Sequence, residues 1–156
     1  MSSAVNPTFD VGVSRLLRSS TLYFLKSTLC CGPAAATLPQ PADERVAAAA
    51  EVISRARYPI ILAGNGVIRA KAWRQLADFA HRLNIPVANT FMAKGVIPFK
   101  HPMALGTVGL QAHDYISCGF ERADVVICVG YDLVEYHPRL WHPTRDRKII
   151  HIDTSP

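Results

Sequence analysis

Two short apolar runs constrain this chain more than any other feature. Ile60-Ile61-Leu62-Ala63 and Val125-Val126-Ile127-Cys128-Val129 hold no polar side chain, and a glycine closes each, Gly64 and Gly130. A strand with one wet face alternates apolar and polar residues. An uninterrupted run of this length reads instead as a strand buried on both faces, as in a parallel sheet packed between layers of helices.

The stretches between the runs have the other period. Asp43 to Arg57 places Val46, Ala49, Ala50 and Ile53 at helical spacing, with Asp43 and Glu44 in the first turn, where negative charge favours the macrodipole. Tyr58-Pro59 stops that helix. After Gly64-Asn65-Gly66, a second helical face is marked by Ala72, Leu76, Phe79, Ala80 and Leu83, and Pro86 to Thr90 reads as another strand. A long polar connection follows through Lys94, Gly95, Pro98, Pro102 and Gly106; loops of that length tend to be functional or to pack against something else. Gln111 to Arg122 predicts a helix, Tyr131 to Arg147 a second irregular segment, and Lys148 to Asp153 a last strand ending in an acid. Strands and helices in alternation predict an α/β fold, a three-layer Rossmann-like parallel sheet with helices on both faces and right-handed crossovers. Ligands of such sheets bind beyond the carboxyl ends of the strands.

Composition removes several function classes. The 156 residues suit one domain, and 49% hydrophobic against 19% charged residues is too apolar for a disordered chain. No apolar run approaches the roughly 20 residues of a spanning helix, so no membrane partner is expected. Seventeen Lys and Arg against twelve Asp and Glu give +5, but the cations are scattered, and a nucleic-acid partner would need a clustered basic face. Cys30, Cys31, Cys118 and Cys128 form no CxxC pair and no ladder of spacings, which argues against a disulfide scaffold or zinc ribbon. Cys118 and Cys128 read as reduced, buried small hydrophobes, which suits a cytoplasmic location.

Residues 1–40 differ from the rest. They carry one acid, Asp10, against Arg15, Arg18 and Lys26, and Ser and Thr are frequent. Leu22 to Leu25 is too short and too soon interrupted by Lys26 for a secretory core, so 1–40 reads as a flexible or non-native leader, with organellar targeting the lesser alternative. The domain proper is then 41–156.

Few side chains suggest chemistry. Gly64-Asn65-Gly66, between a strand and a helix, could let backbone N–H groups approach a phosphate, although the third glycine of the dinucleotide fingerprint is missing and a plain tight turn is the simpler reading of the pair. Asp153 could accept from a ribose or cap the next turn. His137 and His142 flank Trp141 near Glu135, Arg139 and Arg145, yet their spacing fits no standard zinc pattern and surface packing is the simpler reading. His113-Asp114 would point in different directions on a helix. No P-loop, nucleophile elbow or HExxH occurs. The residues alone lead to an α/β nucleotide-fold domain of unspecified ligand.

A set of stretches carries a resemblance that narrows this. Pro59 to Ala70, Ile85 to Thr90 leading to Lys94-Gly95, Leu105 to Gly109, Arg122 to Val126, and Ile150 to Asp153 stand in order within Ala49 to Pro156. Together they resemble the central domain of thiamine-diphosphate-dependent enzymes, closest to the acetolactate synthase large (catalytic) subunit group. In that family thiamine diphosphate and Mg²⁺ lie between a pyrimidine-binding domain with an activating glutamate and a pyrophosphate-binding domain with a Gly-Asp-Gly motif. No Gly-Asp-Gly occurs here, so the resemblance implies a fragment, truncated at its C-terminal end and inactive alone, whose parent condenses two pyruvates with loss of CO2. It further implies those two domains and a homo-oligomer as partners in the parent. The alternatives are the central domain of another thiamine-diphosphate 2-oxo-acid decarboxylase or ligase, or a stand-alone nucleotide-binding module.

Some members of the family hold a structural FAD in this domain. By resemblance, Gly64, Asn65 and Gly66 fall at its first glycine loop, Gly106 and Gly109 at the second glycine pair, and Asp153 near the adenosine end. FAD-bearing members carry a Gly-Ala-Arg-Phe type motif after the fourth strand, whereas this chain has Gly130-Tyr131-Asp132-Leu133-Val134-Glu135-Tyr136, which is more like the FAD-free, catabolic kind.

Overall fold

The computed structural model describes residues 41–109, 115–144 and 146–153. Residues 1–40 and the His113-Asp114 pair therefore lie outside the described residues. The chain order is α1 (Asp43–Arg55), β1 (Pro59–Ala63), α2 (Asn65–Arg69), α3 (Trp73–Leu83), β2 (Val87–Asn89), β3 (Ala104–Thr107), α4 (Ser117–Arg122), β4 (Val125–Val129) and β5 (Lys148–Ile152), with 3-10 turns at Phe91–Ala93 and Pro138–Leu140. One five-stranded sheet has the order β3-β2-β1-β4-β5, and every pairing is parallel. The direction of the strand order reverses between β1 and β4. That is the topological switch point of a doubly wound sheet.

The two apolar runs occupy the middle of this sheet, paired in register from Pro59 with Val125 to Ala63 with Val129. Their side chains alternate between two cores. Ile61, Ala63, Val125, Ile127 and Val129 pack with Val46, Ala50 and Ile53 of α1 and Leu76, Phe79 and Ala80 of α3. Ile60, Leu62, Val126 and Cys128 face the other way, against Phe120 of α4 and Val108. Ile60, Ile61 and Leu62 are at most 2% exposed, and burial of that completeness contributes about 1.5–3 kcal/mol per side chain. Cys128 sits in this second layer, where burial pushes its thiol up to about 12.

Four local readings need correction. The connection after β2 contains an edge strand, β3, held by β2 with a register shift at Val87/Ala88. The helix expected over 111–122 is described as helix only at Ser117–Arg122, and Cys118 on it is exposed rather than buried. The helix after Gly66 is two, because Lys71 takes a left-handed φ of 53° and the chain restarts at Trp73. The irregular segment after β4 is not all surface: Trp141 is 3% exposed and Tyr136 6%, both in the second core, while His137 and Arg139 are exposed. Among the described residues, no helix is long and apolar enough to cross a membrane.

Candidate functional site

The carboxyl ends of β1, β2 and β4 meet at the switch point. Here the backbones touch. A Cβ placed on Gly66 would lie 2.6 Å from Gly130 Cα, and one on Gly130 would lie 2.6 Å from Val67 N. Gly130 also takes φ 56°, a region that glycine enters without steric cost. The glycines after the two runs are thus required by each other.

Hydrogen bonding completes the contact. Gly64 N–H donates to Val129 O at 2.9 Å and Gly66 N–H to Gly130 O at 2.8 Å. Asn65 N–H donates to the Glu135 carboxylate, at 3.0 Å from Oε1 and 3.1 Å from Oε2, and Thr90 Oγ1 donates to Glu135 Oε2. All three N–H groups of the turn that could meet a phosphate already have acceptors. The one acceptor among them that is ionisable is Glu135.

The segment that presents Glu135 is internally braced. Glu135 N–H donates to Asp132 O at 3.0 Å and Val134 N–H to Asp132 Oδ1 at 3.2 Å. Tyr131 Oη donates to Tyr136 O, Trp141 Nε1 donates to Tyr131 Oη at 3.3 Å, and the Tyr131 and Trp141 rings meet edge to face. Burial is the main cause that pushes the Tyr131 hydroxyl up to about 12, with the nearby Cys128, Glu135 and Asp132 adding to it and the Trp141 bond opposing it. The hydroxyl therefore stays a donor. Arg147 Nη1 donates to Trp141 O at 2.7 Å at the far end of the segment. His137 Nδ1 accepts Arg139 N–H at 3.2 Å and so serves the 3-10 turn.

The remaining candidate residues are spread out. Gly109 packs on the Tyr136 ring, 3.2 Å from where its Cβ would stand to Cδ2. Gly106 lines a separate cleft of about 750 Å³ beside β2 and β3, with Asn89, Lys94, Thr107, Phe99 and Tyr115. Asn89 is buried there and donates to Thr107 Oγ1 at 3.0 Å. Asp153 follows β5, on the opposite side of β4 from the Gly64 turn. The structure thus gathers Gly64, Asn65 and Gly66 with Gly130, Thr90 and Glu135, whereas Gly106 lies on the edge strand β3 and Asp153 follows Ile152, whose carbonyl accepts Gly130 N–H at 2.8 Å. Glu135 and Thr90 were not singled out as site residues on the sequence, where 70 and 45 residues separate Glu135 from its two partners. Glu135 was named only as an acid near the histidines after a strand that ends in glycine, and Thr90 only as the end of a strand.

A diphosphate at the glycine turn would meet occupied amides and a carboxylate. Among the described residues, no three or more His, Cys, Asp or Glu come together as a metal would need.

A parallel doubly wound sheet with glycine turns at the switch point defines a nucleotide-fold domain. The family described as "Thiamine pyrophosphate enzyme, central domain" matches residues 46–156, and the chain belongs to it. Relatives include the acetolactate synthase of Mycobacterium leprae, 36% identical over 120 residues that make up 75% of this chain and 19% of the relative. A probable acetolactate synthase large subunit of Methanocaldococcus jannaschii is 40% identical over 111 residues, 69% of this chain and 18% of the relative. The glyoxylate carboligase of Escherichia coli O157:H7 is 33% identical over 150 residues, 95% of this chain and 24% of the relative. Among solved structures, one described as a "putative thiamin diphosphate-dependent enzyme" from Mycobacterium smegmatis superposes with a TM-score of 0.57 at 25% identity, over 81% of this chain and 23% of that one. The chain spans about a fifth of the length of the curated relatives it matches.

Proposed function

We propose that this chain acts as the central, largely structural domain of an acetolactate-synthase-like enzyme, whose whole form joins two pyruvates with loss of CO2 on thiamine diphosphate and Mg²⁺. The single observation that carries this is the family match over 46–156. The occupied amides of the Gly64 turn support a structural role within that whole. The pyrimidine- and pyrophosphate-binding domains, and a homo-oligomer, are the partners of that form, and the chain alone is inactive. The glyoxylate carboligase match, which covers 95% of the chain and so reaches into 1–40, supports treating part of that stretch as family sequence rather than a non-native leader. Calorimetric titration of this chain with thiamine diphosphate and Mg²⁺ should show no binding, and replacing the corresponding segment of an acetolactate synthase with 46–153 should preserve condensation of pyruvate. Tight metal-dependent binding by the chain alone, or a folded but inactive chimera, would refute the reading.

A second reading, an adenine nucleotide held by this sheet alone, has the cleft beside β3 in its favour, with Lys94 as cation and Gly106 in its wall. Clefts of that volume suit small ligands. Titration of ADP and FAD against the wild type and Lys94→Ala decides it: this reading requires binding that the variant weakens.

A further inference from the structure

We propose that Glu135 is a built-in anion that takes the place of a ligand phosphate at the glycine turn, and so is the residue that bars anionic ligands from the switch point. At this place in a doubly wound sheet, the turn after the first strand ordinarily offers N–H donors to a diphosphate. Here Gly64 gives its N–H to Val129 at the end of β4 and Gly66 to Gly130 just beyond it, and the remaining donor, Asn65 N–H, points at both oxygens of a carboxylate supplied by the same chain. Thr90 Oγ1, at the end of β2 and fully buried, donates to the same group.

The carboxylate is presented, not adventitious. The loop from Tyr131 to Tyr136 is closed by its own hydrogen bonds and backed by the buried Trp141, while its apolar crest, Leu133 and Val134, is 64% and 87% exposed. The loop is held at its buried ends, Tyr131 and Tyr136, and not by its crest. The Glu135 carboxylate adds a charge-assisted bond to two donors, stronger than its neutral counterpart, that ties the middle of the loop to the glycine turn. An incoming phosphate would have to displace it and then sit beside its negative charge.

Amide exchange on the intact chain, followed by NMR, tests this. In the wild type Asn65 N–H should be protected, and millimolar inorganic diphosphate should leave its resonance unmoved. Glu135→Ala should raise Asn65 exchange at least tenfold, with the β1 and β4 amides unchanged, and lower Tm by about 4 °C or more. Glu135→Asp keeps the charge but is one methylene short, so it should behave like the alanine variant. Glu135→Gln keeps the length and one carbonyl acceptor, so it should fall between the two and the wild type. Thr90→Val supplies the coupling test should Glu135→Ala not fold, since it should also loosen Asn65. A saturable diphosphate shift at Asn65 in the wild type would overturn the assignment. So would an Asn65 amide as labile in the wild type as in Glu135→Ala, or in Thr90→Val if only that variant folds. None of these outcomes bears on the pyruvate chemistry proposed above, which the chimera tests separately.

Discussion

The two ends of β1 are held by the same kind of contact, a carboxylate accepting backbone N–H groups, and yet they differ in what they tolerate. At the amino end, Asp124 accepts from Arg57 N at 2.8 Å and Tyr58 N at 3.0 Å, in a region open to solvent. At the carboxyl end, Glu135 accepts from Asn65 N and Thr90 Oγ1 in a part-buried site, directly above backbone packed on backbone at Gly64, Gly66 and Gly130. The amino end rests on a side-chain contact that water can replace. The carboxyl end rests on an absence of side chains, which nothing can replace.

The most severe way to break this comparison is Gly66→Val. Its Cβ would stand 2.6 Å from Gly130 Cα, so the backbone must move, and we expect a loss of more than about 4 kcal/mol or no folded protein in urea denaturation. A stable variant would mean that the glycine is only a turn residue. Next is Trp141→Ala, which removes the buried brace behind the Glu135 loop and should cost about 3–5 kcal/mol, whereas Leu140→Ala, half exposed next door, should stay within about 0.5 kcal/mol. Equal losses at the two would remove the buried brace from the account.

At the amino end the effects should be smaller. Asp124→Ala should cost about 1 kcal/mol in the same assay, because water can satisfy the freed Arg57 and Tyr58 N–H groups. A loss as large as that of Trp141→Ala would erase the difference between the ends. The finest effect is on pH dependence. Burial raises the Asp124 carboxyl, but the hydrogen bonds from Arg57, Tyr58 and neighbouring backbone outweigh it and hold the group below its usual 3.8. A folded value below the unfolded one adds stability that is present above the unfolded value and lost as pH falls through the folded one. The difference in stability between wild type and Asp124→Asn should therefore be constant near neutrality and shrink in acid below about pH 4. A difference that persists unchanged to pH 2 would contradict the hydrogen-bonded carboxylate.

The sequence by itself determined β1, β4, α1 and the parallel, doubly covered sheet, because burial on both faces leaves a local mark: an apolar run for a strand and a 3.6-residue period for a helix. It also showed that glycines close both central strands. What they meet was not legible, since the reason for Gly66 is the backbone of Gly130 across the switch point. β3 was missed because an edge strand of four half-buried residues, with Gly106 at φ 121°, carries no such run and takes its hydrogen bonds from β2. The burial of Trp141 was not legible because an irregular segment has no period from which its inward side could be told. Cys118 was misread because the phase of a six-residue helix depends on where it starts. Glu135 became the partner of Asn65 only when packing brought together residues 70 apart, and no local pattern records a contact at that distance along the chain.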